Sequence, residues 1–215
     1  MKVVFPVMGA ENISVAYIAT AIKQKGHTAK VAFDRALFDD KQYFSVKFLA
    51  DLFNQKQKMI DEIIKDKPDM LAMSVFADNY QWSLDVVRKV REKLPNCLTV
   101  WGGIHPTILS DSTLEHELVD YVIRGKGERS VLMLSQALQG KLEFSQVRGL
   151  TYFDSSGCIV HNEEDSDSVT LSQSPNFASI EADAPKPVRK VSEELEDGEY
   201  ELSSKDAPKN VEKFV

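Results

Sequence analysis

Short, continuous apolar runs alternate with amphipathic segments from Lys2 to Leu138. Lys2 to Val7 is an apolar run ended by a glycine-containing loop, and Ser14 to Lys25 then places Val15, Ile18, Ala19 and Ile22 at helical spacing before Gly26 stops it. The unit repeats. Ala29 to Phe33 reads as a strand, and the stretch from about Val46 to Lys65 as a helix through Phe48, Leu49, Leu52, Phe53, Met59, Ile60, Ile63 and Ile64. A third strand, Met70 to Val75, precedes a helix from Tyr80 to Leu94, in which Trp82, Val86, Val87 and Val90 share a face and Pro95 marks the end. Leu98 to Trp101 is a fourth strand leading into Gly102 and Gly103. A short helix over Asp111 to Glu117, a fifth strand at Tyr121 to Ile123 and a closing helix from Arg129 to Leu138 complete the series.

Strands with no polar face must be covered on both sides, and helices between them supply the cover. The pattern predicts an α/β, Rossmann-like domain: a five-stranded parallel sheet of flavodoxin type with helices on both faces. Val147 to Phe153 and Cys158 to His161 flank Asp154-Ser155-Ser156-Gly157, a hairpin signal, and predict a short antiparallel appendix. Beyond Asn162, Ser, Glu, Asp and Pro dominate and apolar residues lose their period, so burial does not offset the entropy of ordering. The expected division is an α/β domain over 1–143, a hairpin over 144–161 and a mostly disordered acidic tail over 162–215. Val191 to Leu195 is the one place in that tail with a helical hint.

Charge sharpens this division. Of 33 acidic and 26 basic side chains, 14 and 6 fall within residues 162–215, so the net charge of −7 belongs to the tail and the folded part is close to neutral. A neutral fold offers no electrostatic footprint for nucleic acid. No apolar run approaches the roughly 20 residues of a membrane helix, and the apolar start is too short for a signal peptide, so the expectation is a cytoplasmic protein with no membrane contact. The two cysteines, Cys97 and Cys158, have no thiol or histidine at ligand spacing, which argues against a disulfide scaffold or a zinc site.

In open parallel sheets, ligands bind beyond the carboxyl ends of the strands. The loops there are Pro6 to Asn12, Ser74 to Asn79, Gly102 to Thr107 and Gly125 to Glu128. Met8, Gly9 and Asn12 in the first offer a small residue and a helix cap. Ser74 in the second offers one hydroxyl, as a local turn former or toward a ligand, beside Val75 and Phe76. Gly102 and Gly103 either turn the chain or let a bulky group approach the backbone. His105, followed by Pro106, is placed to reach a ligand or to bond locally. Gly125 and Gly127 lack the spacing of dinucleotide or Walker loops, and Glu128 suits the start of a helix as well as it suits a ligand. No nucleophile, base and orienter fall at placeable positions, so no catalytic residue is expected.

Taken in order, these segments resemble the cobalamin-binding domain that precedes the catalytic barrel in cobalamin-dependent radical SAM enzymes. Tyr17 to His27 resembles that family's first helix ending in Gly-His, and Ser74-Val75-Phe76 sits where it has Ser-x-Leu. Trp101-Gly102-Gly103-Ile104-His105-Pro106-Thr107 is similar to its Gly-Gly-x-His-Pro-Thr loop. Asp120 to Glu128 resembles its Asp-x-Val-x-x-Gly-Glu-Gly-Glu stretch, with Lys126 in place of an acidic residue, and Arg148 to Tyr152 resembles the hairpin that follows. The resemblance implies cobalamin as cofactor, its nucleotide tail held by Ser74, Gly102 and Gly103, with His105 and the first loop near the corrin. The first loop, Pro6 to Asn12, lacks the Asp-x-His-x-x-Gly element of the methionine synthase relatives, so no lower histidine to cobalt is expected from that loop.

Two cysteines cannot supply the three closely spaced thiolates of the family's iron–sulfur cluster. The expected function is therefore a stand-alone corrinoid-binding protein, acting as carrier, sensor or partner subunit, with the acidic tail reaching a protein partner. A cofactor-free scaffold derived from the family and a fragment of a larger cobalamin-dependent radical SAM enzyme are the alternatives.

Overall fold

The computed structural model describes residues 1–9, 12–35, 39–40, 44–45 and 55–164. Strands β1 (Lys2–Met8) and β2 (Thr28–Asp34) flank helix α1 (Ile13–Gln24). A two-residue antiparallel pair, β3 (Asp39–Asp40) and β4 (Phe44–Ser45), lies apart from the main sheet. Then follow α2 (Gln55–Asp66), β5 (Met70–Ser74), α3 (Tyr80–Lys93), β6 (Leu98–Gly102), the single-turn helices α4 (Ile104–Ile108) and α5 (Ser110–Leu114), β7 (Tyr121–Ile123) and α6 (Gly127–Ala137). The chain closes with β8 (Leu150–Phe153) and β9 (Ile159–His161).

The parallel strands run β2-β1-β5-β6-β7, the order expected of a flavodoxin-like sheet. The expected antiparallel hairpin is present and extends this sheet. β8 pairs antiparallel with β7, so the sheet has seven strands rather than five, and Val147 and Leu150 are fully buried in the same core as β1. The predicted helix over 46–65 is seen from Gln55 onward; its first part, the tail beyond residue 164 and the hint at Val191 to Leu195 lie outside the described residues. α4 forms where the sequence pattern predicts only a loop.

Alternate residues of each strand feed two cores. Val3, Phe5 and Val7 of β1 face α1 and α6, packing with Val15, Ile22, Val131 and Leu134. Val4, Leu71, Trp101 and Val122 face α2 and α3, against Ile60, Ile63, Val87 and Val90. Burial on both faces is why the strands read as unbroken apolar runs.

Several residues behind the family resemblance serve this framework. Gly26 (φ +81°) ends α1: its N–H and that of His27 reach back to the carbonyls of Lys23 and Ile22, at 3.0 and 3.3 Å. His27 lies 3.4 Å from the Ser135 hydroxyl on α6, and burial pushes its imidazole below the usual histidine range. Asp120, just before β7, accepts the Thr99 N–H at 2.7 Å and pairs with Arg91 of α3, tying the amino ends of two strands to a helix. Asp120→Ala strands that N–H and takes from the Arg91 guanidinium its carboxylate partner, leaving it on the Cys97 and Glu117 carbonyls, and is expected to cost about 2 kcal/mol in urea unfolding. Because Asp120 lies at the edge opposite the strand carboxyl ends, ligand affinity should not change.

The cysteines differ sharply. Cys97 is buried, and desolvation pushes its thiol up to about 11, while Cys158 is exposed in the hairpin turn. Since the thiolate is the reactive form, native protein at about pH 8 should titrate one equivalent of thiol reagent and release the second only in denaturant. Two equivalents from native protein would contradict the burial of Cys97.

Candidate functional site

The strand order reverses direction between β1 and β5, and the carboxyl ends of the sheet open there into a cavity of about 500 Å³. Its floor is one face of four adjacent strands: Phe5, Ala72, Val100 and Ile123. One wall is α1, through Ser14, Val15 and Ile18; the other is the start of α6, through Gly127, Glu128 and Val131. The mouth carries Ser74, Phe76, Gly102, Gly103, Ile104 and Ile108. A second hollow of about 390 Å³ adjoins it, sharing Ser14, Ser74 and Phe76, and is lined further by Met8, Asn12 and Asn79.

Hydrogen bonds stitch the loops of this edge together. The Val75 N–H donates to the Gly102 carbonyl at 2.7 Å, and the Val75 carbonyl accepts from the His105 N–H at 3.2 Å. The Thr107 hydroxyl donates to the Gly103 carbonyl at 2.8 Å and accepts from the Gly125 N–H at 3.1 Å. This explains the threonine of the Gly-Gly-x-His-Pro-Thr pattern: it joins the β6 loop to the β7 loop. On the other side, Asn79 accepts from the Phe76 N–H and donates to the Ser74 carbonyl, at 2.8 and 3.0 Å. Gly9 (φ +75°) turns the chain after β1, its N–H on the Asp34 carbonyl at 2.8 Å.

The two glycines at the end of β6, its last residue Gly102 and the next residue Gly103, have different roles. A Cβ on Gly102 would make only an ordinary contact, 3.6 Å from the Ile123 carbonyl, so this residue leaves the mouth open. A Cβ on Gly103 (φ +101°) would lie 2.7 Å from the Val75 carbonyl oxygen. The close approach that Gly103 permits is thus made by the protein's own backbone.

Of the residues singled out from the sequence, Ser74, Phe76, Gly102, Gly103, Gly125, Gly127 and Glu128 meet at the cavity, and Met8 and Asn12 at the adjoining hollow. Gly9, Val75, His105 and Pro106 line neither. Val75 is buried in the α3-side core, Pro106 is buried within α4, and the His105 ring packs on Tyr80 with centroids 4.7 Å apart. The helical turn of α4 is what carries His105 away, since it begins at the residue after Gly103. The floor residues and Ile18, Ile104, Thr107 and Ile108 escape the sequence reasoning; strand parity alone could have found the floor, because it lies on the residues that alternate with those facing α3.

The lining of the larger cavity is mostly apolar, and two of its polar side chains have hydrogen-bonding capacity left. One Glu128 carboxylate oxygen is buried without a hydrogen-bond partner among the described residues, in the first turn of α6, where the helix dipole favours an anion. Ser74 Oγ accepts from the Asn12 amide at 3.1 Å and has no acceptor for its own proton among the described residues. Among those residues no group of three or more His, Cys, Asp or Glu side chains is gathered to hold a metal ion.

Residues 9–134 match the family model described as "B12 binding domain". The chain belongs to this B12-binding family.

It is 26% identical over 145 residues to an anaerobic magnesium-protoporphyrin IX monomethyl ester cyclase of Cereibacter sphaeroides, covering 65% of this chain and 21% of that protein. It is 32% identical over 97 residues to the cobalamin-dependent radical SAM methyltransferase TokK of Streptomyces tokunonensis, covering 44% of this chain and 14% of the methyltransferase. Among solved structures, the radical enzyme OxsB with aqua-cobalamin and S-adenosylmethionine bound superposes with a TM-score of 0.61 at 14% identity, over 77% of this chain and 22% of that one. TsrM from Kitasatospora setae, with cobalamin and a [4Fe-4S] cluster bound, gives 0.55 at 15% identity, over 80% and 30%. The B12-binding chain is thus homologous to the cobalamin-binding part of radical SAM enzymes and shares its fold, and it spans about a fifth of the length of the cyclase and less of the methyltransferase.

Proposed function

We propose that this B12-binding domain holds cobalamin with the nucleotide tail in the cavity between α1 and α6, and presents the corrin to a catalytic partner as a carrier or partner module. The cavity carries the reading. Its volume of about 500 Å³ lies within the range of small-molecule sites. Its apolar floor suits an aromatic base, Ser74 has a hydroxyl proton to donate, and Glu128 has a buried oxygen to accept from a sugar or amide group.

When bound, cobalamin supplies a redox-active cobalt that takes up and releases alkyl groups. The chain's own residues bind and orient. Gly102 keeps the mouth clear, while Met8 and Asn12 border the hollow next to the nucleotide site. Gly125 and Gly127 let the chain at the start of α6 close on the cavity edge, where a Cβ added at Gly127 would lie 3.0 Å from the tip of Ile18. Phe76, 37% exposed, and Ile104 and Ile108, at 62% and 73%, form an apolar rim around the mouth, suited to the flat face of a macrocycle. The acidic stretch 162–215 is assigned the contact with the partner, on its charge, and the location is assigned to the cytoplasm. Among the described residues no helix is long and apolar enough to cross a membrane.

The test is retention. Full-length protein mixed with hydroxocobalamin should carry the chromophore through gel filtration in a near-equimolar ratio. A colourless protein peak would return the chain to the cofactor-free scaffold reading.

A further inference from the structure

The side chain of Asn12 makes two bonds at once, and together they fix the direction of a third. Its Oδ1 accepts the Val15 N–H at 3.2 Å, capping α1, and its Nδ2 donates to Ser74 Oγ at 3.1 Å. A backbone N–H can only donate, so the amide atom facing Val15 must be the carbonyl oxygen, and the atom facing Ser74 must be the nitrogen. The helix cap therefore determines which way the amide is turned.

A serine hydroxyl has one proton and two lone pairs. With the Asn12 nitrogen donating into one lone pair, and no acceptor for the proton among the described residues, the hydroxyl of Ser74 is left as a donor at the mouth shared by the two hollows. We propose that Asn12 is a positioning residue: its amide N–H fills one lone pair of Ser74 Oγ and so holds that hydroxyl as a hydrogen-bond donor toward the bound nucleotide. This rests on the nucleotide-in-cavity reading above and adds to it the residue that fixes the donor: with the Asn12 amide in place the Ser74 proton is left for an acceptor on the ligand.

The deciding variant is Asn12→Asp. Aspartate caps a helix as well as asparagine, so α1 is retained. Its second oxygen, however, can only accept from Ser74, which draws the hydroxyl proton away from the cavity. Asn12→Ser, which keeps a cap but is too short to supply both bonds, is the companion variant. Affinity is measured by equilibrium dialysis of full-length protein against cob(II)alamin and against cob(II)inamide, the same corrin without its nucleotide, with thermal melts of each variant alongside.

Asn12→Asp is expected to weaken cob(II)alamin by about tenfold, the worth of one buried hydrogen bond. The melting temperature should hold and cob(II)inamide should show no comparable loss. Ser74→Ala should match Asn12→Asp, and the double variant should be no weaker than Ser74→Ala alone. Wild-type affinity in Asn12→Asp alongside a loss in Ser74→Ala, or equal losses for both ligands, would overturn the positioning role and leave the nucleotide site standing. A wild-type protein that binds cob(II)alamin no better than cob(II)inamide would overturn the nucleotide site itself, and the positioning role with it.

Discussion

Gly103→Ala is expected to lower stability by about 3 kcal/mol and to abolish cobalamin retention, because a side chain there is opposed by both backbone strain and a clash. Gly103 has φ +101° and ψ −174°, a region that only glycine occupies at low cost. A Cβ at this position would stand 2.7 Å from the carbonyl oxygen and 2.9 Å from the nitrogen of Val75. Neither atom can give way cheaply, since the Val75 N–H and carbonyl are bonded to the Gly102 carbonyl and to the His105 N–H. Relief of the clash must break the stitching that holds the β5 and β6 loops side by side, and with it the mouth of the cavity. Gly127→Ala is the matched control: its Cβ meets only the tip of Ile18 at 3.0 Å, so stability should change by less than about 1 kcal/mol. Urea midpoints of the two variants compare them directly.

Ser74→Leu is expected to weaken cobalamin binding by about a hundredfold or more while leaving stability near wild type, through a missing hydrogen bond and a filled volume. Ser74 ends β5 at the junction of the two hollows, half-buried, with its side chain on the cavity side of the strand end. Leucine at this point projects apolar bulk into space that the framework does not use. Within the protein the substitution breaks the hydrogen bond from the Asn12 amide, while the Asn12 cap on Val15 remains. Spectrophotometric titration with cob(II)alamin reads the affinity, and far-ultraviolet dichroism confirms the fold. A Ser74→Leu protein that binds normally would place the ligand elsewhere.

The sheet was legible because strands buried on both faces must be apolar throughout, and the helices between them must carry a 3.6-residue stripe. Tyr80 to Lys93 shows the link directly, with Val86, Val87 and Val90 fully buried where the period placed them. The hairpin strands were legible, but their attachment was not. Pairing of β8 with β7 is a long-range choice, made by Leu150 and Val147 entering a core whose other members lie far away in sequence.

The candidate site divides in the same way. Ser74, Gly102, Gly125 and Glu128 could be placed from their positions at or just beyond the carboxyl ends of strands. His105 could not, because a single helical turn beginning at Ile104 swings its ring onto Tyr80, and a Gly-Gly-x-His-Pro segment carries no signal of that turn. Gly103 is indeed a point of close approach, but the group that approaches is the backbone of Val75. The room above the floor depends on how far α1 and α6 stand apart, which no local pattern records.

The most direct measurement is the electron paramagnetic resonance spectrum of cob(II)alamin bound to the full-length protein. Free cob(II)alamin at neutral pH carries the nitrogen splitting of its own benzimidazole on cobalt. With the nucleotide drawn into the cavity between α1 and α6, that nitrogen faces Ser74 instead, and the splitting should vanish on binding. A bound species that keeps the splitting of the free cofactor would show that the tail never enters the cavity.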